Sequence, residues 1–400
     1  MEQPPIRLGI FVTHPIQYFA PVWRLLAANE NFQLSVYFFS DHSVRGGVDP
    51  EFGVNVAWDI PLLDGYAHTF LERSADLSKP WSVALPNARE ILTRDRLDVV
   101  LVHGYTHRFE HNVVKAARKS GVATVIRGEF SDSRPPRGWS AIRNLMRDTF
   151  LKRFYRKIDS FCYMGQLGKQ HLERLGIPGD RMFFAPYSVD TALFERQKQQ
   201  FQRVQVRADL GIPADATVLL FSGKLVPRKA PLLLVEAVRR LGNPESIFLV
   251  LVGEGEQRAE VEAAARAALG SRFLMPGFVN QSGIGRYYAA ADVLVLPSLF
   301  DTWGLVVNEA MQFGLPVVVS DRVGCAPDLL VEGTTGYTFS SSDAASLAKR
   351  LNLLIEDPER IRSMGQHASR HVERYSASAA AAGIRLAVLD AFRHEDTSCR

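Results

Sequence analysis

The sequence predicts an α/β protein made of two doubly wound parallel sheets in series, and three observations carry that reading. Short β-branched runs alternate with longer amphipathic segments along the whole chain, the signature of parallel strands joined by crossover helices. The alternation stops near Pro186 and restarts at Thr217, so the pattern occurs twice. The 400 residues exceed one ordinary core and suit two domains of roughly 150 to 200 residues each.

In the first half the predicted strands are RLGIFV (7–12), QLSVYFF (33–39), LDVVLVH (97–103), VATVIRG (122–128) and SFCYMG (160–165), with helical patterns between most of them. Residues 40–81 are irregular and aromatic-rich, which predicts loops suited to lining a cleft. A junction falls near Pro186 to Gln205, where RQKQQFQRVQVRADLG predicts one polar helix. The second half brings TVLLFSG (217–223), SIFLVLVGEG (246–255), RFLMPGF (272–278), DVLVLPS (292–298) and PVVVS (316–320), each followed by a helical segment. The expected domains are residues 1–190 and 191–375. Residues 376–400 form an Ala-rich helix that closes the second domain or crosses back to the first. Ligands of doubly wound sheets bind at the carboxyl ends of the strands, so two facing domains would form one deep cleft.

Composition narrows the function classes. Hydrophobic residues are 46% and charged residues 22%, enough for both halves to bury a core. A net charge of +4, from 47 basic and 43 acidic residues, is too mild to argue nucleic-acid binding. The N-terminus has no basic region followed by a long apolar run, and no window approaches a membrane span, so a cytoplasmic protein is expected. Cys162, Cys325 and Cys399 are odd in number and scattered, which argues against a disulfide framework and against a zinc site.

Two stretches of the second half carry chemistry. In LLFSGKLVPRKAP, Gly223 permits a turn after a strand, and Lys224 and Lys229 flank a loop before a new helix. Two cations there can neutralise a departing diphosphate without a divalent metal; the alternative is a pair of solvated lysines. In PSLFDTWGLVVNEAMQFGLPVVVSD a helix is expected to begin near Gly304. Its first amides, those of Leu305 and Val306, would offer an anion site. Glu309, about one turn in, would repel a phosphate placed against it and suits the neutral hydroxyls of a ribose. Asp301, in the preceding loop, would face sugar hydroxyls. The alternatives are a helix-dipole acid for Glu309 and an N-cap-like turn residue for Asp301. VGEGEQ (252–257) lacks a third glycine and reads as a tight turn rather than a dinucleotide fingerprint.

The stretch from Pro297 to Phe339, with SGKLVPRKAPLLLVEA, LVGEGE, PGFV and PYSVDTALF, resembles the C-terminal signature of family 4 retaining glycosyltransferases, also called glycosyl transferases group 1. The resemblance runs from Phe184 to Phe339 and implies a GT-B type fold: α/β, two Rossmann-like doubly wound domains facing a central cleft. It implies that Lys224 and Lys229 bind the donor diphosphate, Lys224 standing where an arginine is more usual and lacking its bidentate fork. It further implies that Gly223 and the backbone of Gly304, Leu305 and Val306 receive phosphates and that Glu309 holds the nucleotide ribose. Phe278 and Val279 would border the base, and Asp301 would bind the transferred sugar. Asp301 replaces a glutamate, roughly 1.5 Å longer. The family's Gly-Gly loop is absent, and THPIQYFAP (13–21) takes its place, making His14, Gln17 and Tyr18 acceptor-side candidates; His14 is alternatively a turn residue with its ring in solvent. His103 occupies the position of a family histidine that touches the sugar, or is a strand-end cap. Arg127 and His107 are further candidates on that side.

The implied reaction moves a glycosyl group from a nucleoside diphosphate sugar to an acceptor hydroxyl with retention, by front-face displacement, with no cofactor and no metal. Domain closure would exclude water. The acceptor classes are a lipid-linked glycan, a polysaccharide precursor or a small metabolite. Residues 134–157 hold eight basic residues and one acid, with Trp139, Phe150, Phe154 and Tyr155 interleaved. They suggest peripheral contact with an anionic membrane or a solvated basic face over a buried apolar stripe. Two alternatives stay open: a nucleotide-sugar epimerase or hydrolase, for which only His103 and His14 offer acid/base groups, and a non-catalytic sugar-nucleotide-binding protein.

Overall fold

A computed structural model describes residues 4–398 apart from 49–52, 73–76, 78 and 131–139. Cys399 and the Arg134 to Trp139 part of the basic stretch lie outside the described residues. The chain divides into two compact units: residues 1–45, 61–188 and 377–400 form the first, and residues 46–60 and 189–376 the second. Among the described residues no helix is long and apolar enough to cross a membrane.

The strands in chain order are β1 (Ile6–Val12), β2 (Phe32–Phe38), β3 (Gly47–Val48), β4 (Asn55–Val56), β5 (Ala67–Phe70), β6 (Val99–His103), β7 (Ala123–Arg127), β8 (Ser160–Tyr163) and β9 (Met182–Phe184). They continue as β10 (Thr217–Ser222), β11 (Ile247–Val252), β12 (Phe273–Gly277), β13 (Val293–Leu296), β14 (Val317–Ser320) and β15 (Gly336–Phe339). The first unit holds a parallel seven-stranded sheet in the order β5-β2-β1-β6-β7-β8-β9. The second holds a parallel six-stranded sheet in the order β12-β11-β10-β13-β14-β15. β3 and β4 make a short antiparallel ribbon. Both sheets are Rossmann-like, and the fold is of GT-B type.

The central strands are legible because helices cover both faces, so every position can be apolar. All six residues of β11, IFLVLV, are buried. Of the strands that the pattern does not announce, β5, β9 and β15 are sheet edges and β3 and β4 form the short ribbon; three of the four residues in AHTF of β5 are exposed. The single helix expected over 196–211 is two, Thr191–Gln200 and Arg203–Asp209. Asp190 caps the first by accepting from the Leu193 amide at 3.0 Å. Arg203 fixes the start of the second, donating to the Ala291 carbonyl at 2.6 Å, and Arg207 anchors it to Asp292 at 2.6 Å. These tertiary anchors outweigh a continuous helical propensity. The C-terminal helix Ala377–Ser398 packs on β6 to β9 and on the helix Ala20–Ala27 of the first unit, where Ser160 Oγ donates to Asp390 at 2.7 Å.

Candidate active site

In the second unit, chain order reverses direction across the sheet between β10 and β13. Such a switch point opens a crevice beyond the strand ends, because the crossovers on its two sides leave in opposite directions. Two loops leave there, 223–230 after β10 and 297–304 after β13. The Leu299 amide donates to the Arg228 carbonyl at 2.8 Å, tying one loop to the other. Lys229, in the short 3-10 turn Pro227–Lys229, forms an ion pair with Asp301 across them. Only 9% of Asp301 is exposed. Lys229 and Asp301, expected to face different parts of a donor, thus satisfy each other.

The helix Leu305–Gln312 begins at Gly304, whose φ is +92°. A Cβ there would sit 2.9 Å from both Leu296 and Val323, so glycine is required by conformation and by space. Leu305 and Val306 remain half-buried at the helix entrance, where unpaired first-turn amides favour an anion. Trp303 Nε1 donates to Asn308 Oδ1 at 2.8 Å and fixes the turn. Glu309 is 2% exposed, and its Oε2 accepts from the Tyr288 hydroxyl at 2.6 Å. Tyr288, buried against Phe313 at 5.4 Å, was not among the candidates; a lone tyrosine on a helical pattern gives no sign of a partner 21 residues away. Burial, with Asp301 and Asp328 nearby, pushes the Cys325 thiol well above its usual range, so it is unreactive.

Gly223 and half-buried Lys224 lie at the end of β10. The Gly223 amide donates to Val252 at 2.9 Å and the Leu225 amide to Glu254 at 2.7 Å. A Cβ on Gly253 would fall 1.9 Å from the Gly223 carbonyl oxygen, so the glycines of VGEGEQ serve backbone packing. Phe278 and Val279 open a loop braced by residues 57–59: Asn280 Nδ2 donates to the Ala57 carbonyl at 2.6 Å, and the Ser282 amide to Asp59 Oδ1 at 3.1 Å.

In the first unit the reversal lies between β1 and β6, whose ends carry the 13–21 segment and His103. His14 is half-buried and lies 2.9 Å from the Thr13 hydroxyl through Nδ1; burial, reinforced by His42 and His107, lowers its pKa to about 4. Gln17 is buried, and Tyr18 is half-buried. One neighbour that meets His103 is Phe19, ring to ring at 4.1 Å, a residue the sequence did not single out. Arg127 lies behind His103 and is 1% exposed, so it reaches a substrate only through its neighbours. Burial, then Arg127, holds the His103 pKa well below the usual histidine range. His107 caps the helix Arg108–Ser120, its amide donating to Glu110 at 2.9 Å. Among the described residues no group of three or more His, Cys, Asp or Glu is gathered as metal ligands are.

Residues 202–371 match the family described as glycosyl transferases group 1. The chain is 35% identical over 207 residues to a D-inositol 3-phosphate glycosyltransferase of Streptomyces avermitilis, a stretch covering 48% of this chain and 44% of the relative. It thus spans about half the length of the curated relatives it matches. Among solved structures, Anabaena HepE in complex with UDP and glucose aligns at a TM-score of 0.69 with 18% identity, covering 95% of this chain and 98% of that one. A structure described as a putative UDP-N-acetylglucosamine 2-epimerase from Listeria monocytogenes aligns at 0.65 with 18% identity, covering 98% and 97%. Likeness at that identity speaks for the fold. The matched segment contains both loops of the switch point, so it is the second half of the chain that is similar to the glycosyl transferases group 1.

Proposed function

We propose that this chain is a retaining glycosyltransferase that moves a sugar from a nucleoside diphosphate donor to an acceptor hydroxyl. The observation that carries the reading is the gathering of Lys229, Asp301, Gly304 and Glu309 at the switch point of the six-stranded sheet. Lys224, Lys229 and the amides of Leu305 and Val306 take the charge that develops on the leaving diphosphate. Before the donor arrives, Asp301 occupies Lys229; the diphosphate then takes the lysine, and Asp301 turns to the hydroxyls of the sugar. Glu309 takes the ribose diol, and Phe278 with Val279 borders the base. The departing phosphate oxygen accepts the acceptor proton, so the step needs no protein nucleophile and no metal.

The named relative acts on an inositol phosphate and the HepE structure holds UDP with glucose, so UDP-sugars and cyclic polyols are the first substrates to try. A lipid-linked acceptor is the other class. The helix Ser140–Tyr155 leaves Leu145, Met146 and Phe150 exposed among Arg147, Lys152 and Arg153, whereas Phe154 and Tyr155 are buried. That mixture suits peripheral contact with an anionic membrane from the cytoplasmic side.

The test is thermal stabilisation by UDP, GDP, ADP, dTDP and CDP. One nucleoside diphosphate at about 100 times its dissociation constant adds roughly 2.7 kcal/mol, and Glu309→Ala should abolish that shift. No shift with any of them from folded protein, or an undiminished shift in the variant, would overturn the donor-site assignment.

A further inference from the structure

Arg127 is a buried cation whose described hydrogen bonds all go to neutral acceptors. Nη2 donates to the Pro186 carbonyl at 2.8 Å, Nε to Ala185 at 3.3 Å, and Nη1 meets His103 Nε2 at 3.0 Å. Its guanidinium lies 5.1 Å from the centre of the Phe19 ring and 5.8 Å from that of Tyr187. The meeting with His103 follows from sheet register: His103 and Arg127 are direct partners in the β6–β7 ladder. The Phe19 ring lies against the imidazole as well, 4.1 Å between centroids.

An arginine has five N–H donors and no acceptor. The contact at Nε2 therefore has only one direction: Arg127 donates and His103 accepts. Nε2 must hold a lone pair, and the single ring proton of a neutral imidazole must sit on Nδ1. The guanidinium cannot swing away cheaply, because its other donors grip the main chain at Ala185 and Pro186 and its faces are packed on two rings.

We propose that Arg127 is a positioning residue that locks His103 as the neutral Nδ1–H tautomer, so that His103 meets the substrate as a hydrogen-bond donor and not as a proton acceptor. The charged and titratable groups facing the pair are His14 beside His103, and Tyr187, Cys162 and Glu129 around Arg127; Glu129 accepts from the Tyr187 hydroxyl. A second proton on His103 would place two cations side by side, 3.0 Å apart. The inference rests on the assignment of His103 to the substrate side, and it restricts that role: a fixed donor orients a sugar hydroxyl, while removal of the acceptor proton is left to the leaving phosphate. A histidine so held is unsuited to serve as the base of an epimerase at Nε2.

The experiment is two-bond proton–nitrogen correlation NMR on the full chain with ¹⁵N-labelled histidine, the His103 signals being assigned by their loss in His103→Phe. The wild type should show Nδ1 protonated and Nε2 bare throughout the interval from about pH 5 to pH 8, in which a free histidine titrates. In Arg127→Met the ring should change tautomer or titrate within that interval. Transfer kcat/KM should fall about ten-fold, the order expected for one misplaced hydrogen bond, while stabilisation by nucleoside diphosphate stays as in the wild type. An Nε2-protonated or doubly protonated His103 in the wild type would overturn the proposal, even if Arg127→Met fails to fold. Unchanged tautomer, titration and kinetics in folded Arg127→Met would overturn it as well. Absence of transfer with every donor would remove the glycosyltransferase reading and leave the NMR result decisive for the lock.

Discussion

Lys229 and Asp301 form a largely buried ion pair at the switch point of the six-stranded sheet. Each removes the desolvation penalty of the other, and breaking such a pair on one side leaves an uncompensated charge. Lys229→Met should therefore destabilise the protein by about 3 kcal/mol, the order for an orphaned buried partner, and the double variant Lys229→Met with Asp301→Asn should recover most of that loss in urea titrations. Tyr288→Phe is the complementary case. It removes the hydroxyl that holds Glu309 but keeps the ring on Phe313, so nucleoside diphosphate affinity should drop about ten-fold, and the buried carboxylate that loses this donor should cost about 1 to 3 kcal/mol of stability; calorimetric titration and thermal melting check it. His14 carries a pH signature. Its pKa is lowered from 6.5 to about 4, so below 6.5 the unfolded chain binds a proton that the folded chain refuses. Stability should be full above pH 6.5 and fall as pH drops toward 4, by about 2 kcal/mol at pH 5 from this residue; His14→Phe should flatten that part of the denaturation profile.

Gly304 ties local conformation to the start of a whole element. Gly304→Ala must accept φ near +92° and a collision with Leu296 and Val323, so it should cost about 2 kcal/mol and weaken donor binding beyond that, measured by melting and by titration with the preferred nucleoside diphosphate. The helix after Gly304 was legible because a loop acid, a glycine and an apolar periodic run follow one another along the chain. The same holds for Lys229, Asp301 and Glu309, which local spacing brings forward. Tyr288 and Phe19 were not legible, since their roles come from where the sheet places them. Three of the four edge strands, β5, β9 and β15, escaped for a related reason: a strand with one neighbour needs no continuous apolar run, as exposed AHTF of β5 shows. The helix at 191–209 divides because Arg203 and Arg207 are anchored to residues 290–292, a long-range fact that periodicity does not contain.

At the level of the molecule, the chain passes between its two units four times, at 45/46, 60/61, 188/189 and 376/377. The last passage returns the helix Ala377–Ser398 to the first unit, where Ala380, Ile384, Ala387, Val388 and Ala391 are fully buried. A chain ending at Ser376 should lose the cooperative unfolding and solubility of the first unit, because this face of its sheet is uncovered. Nucleoside diphosphate stabilisation in the soluble fraction should persist if the second unit stands by itself; full solubility with wild-type melting would refute the expectation. The same returning helix sets a timetable for biosynthesis. The ribosome makes residues 1–45 and 61–188 of the first unit early, yet the helix that covers one face of their sheet emerges only after residue 376. The second unit, begun later, has its last residues available earlier, so the half of the protein translated first is the half that finishes folding last, and it must wait through the synthesis of 188 intervening residues (189–376) with an apolar sheet face that nascent-chain chaperones are suited to cover.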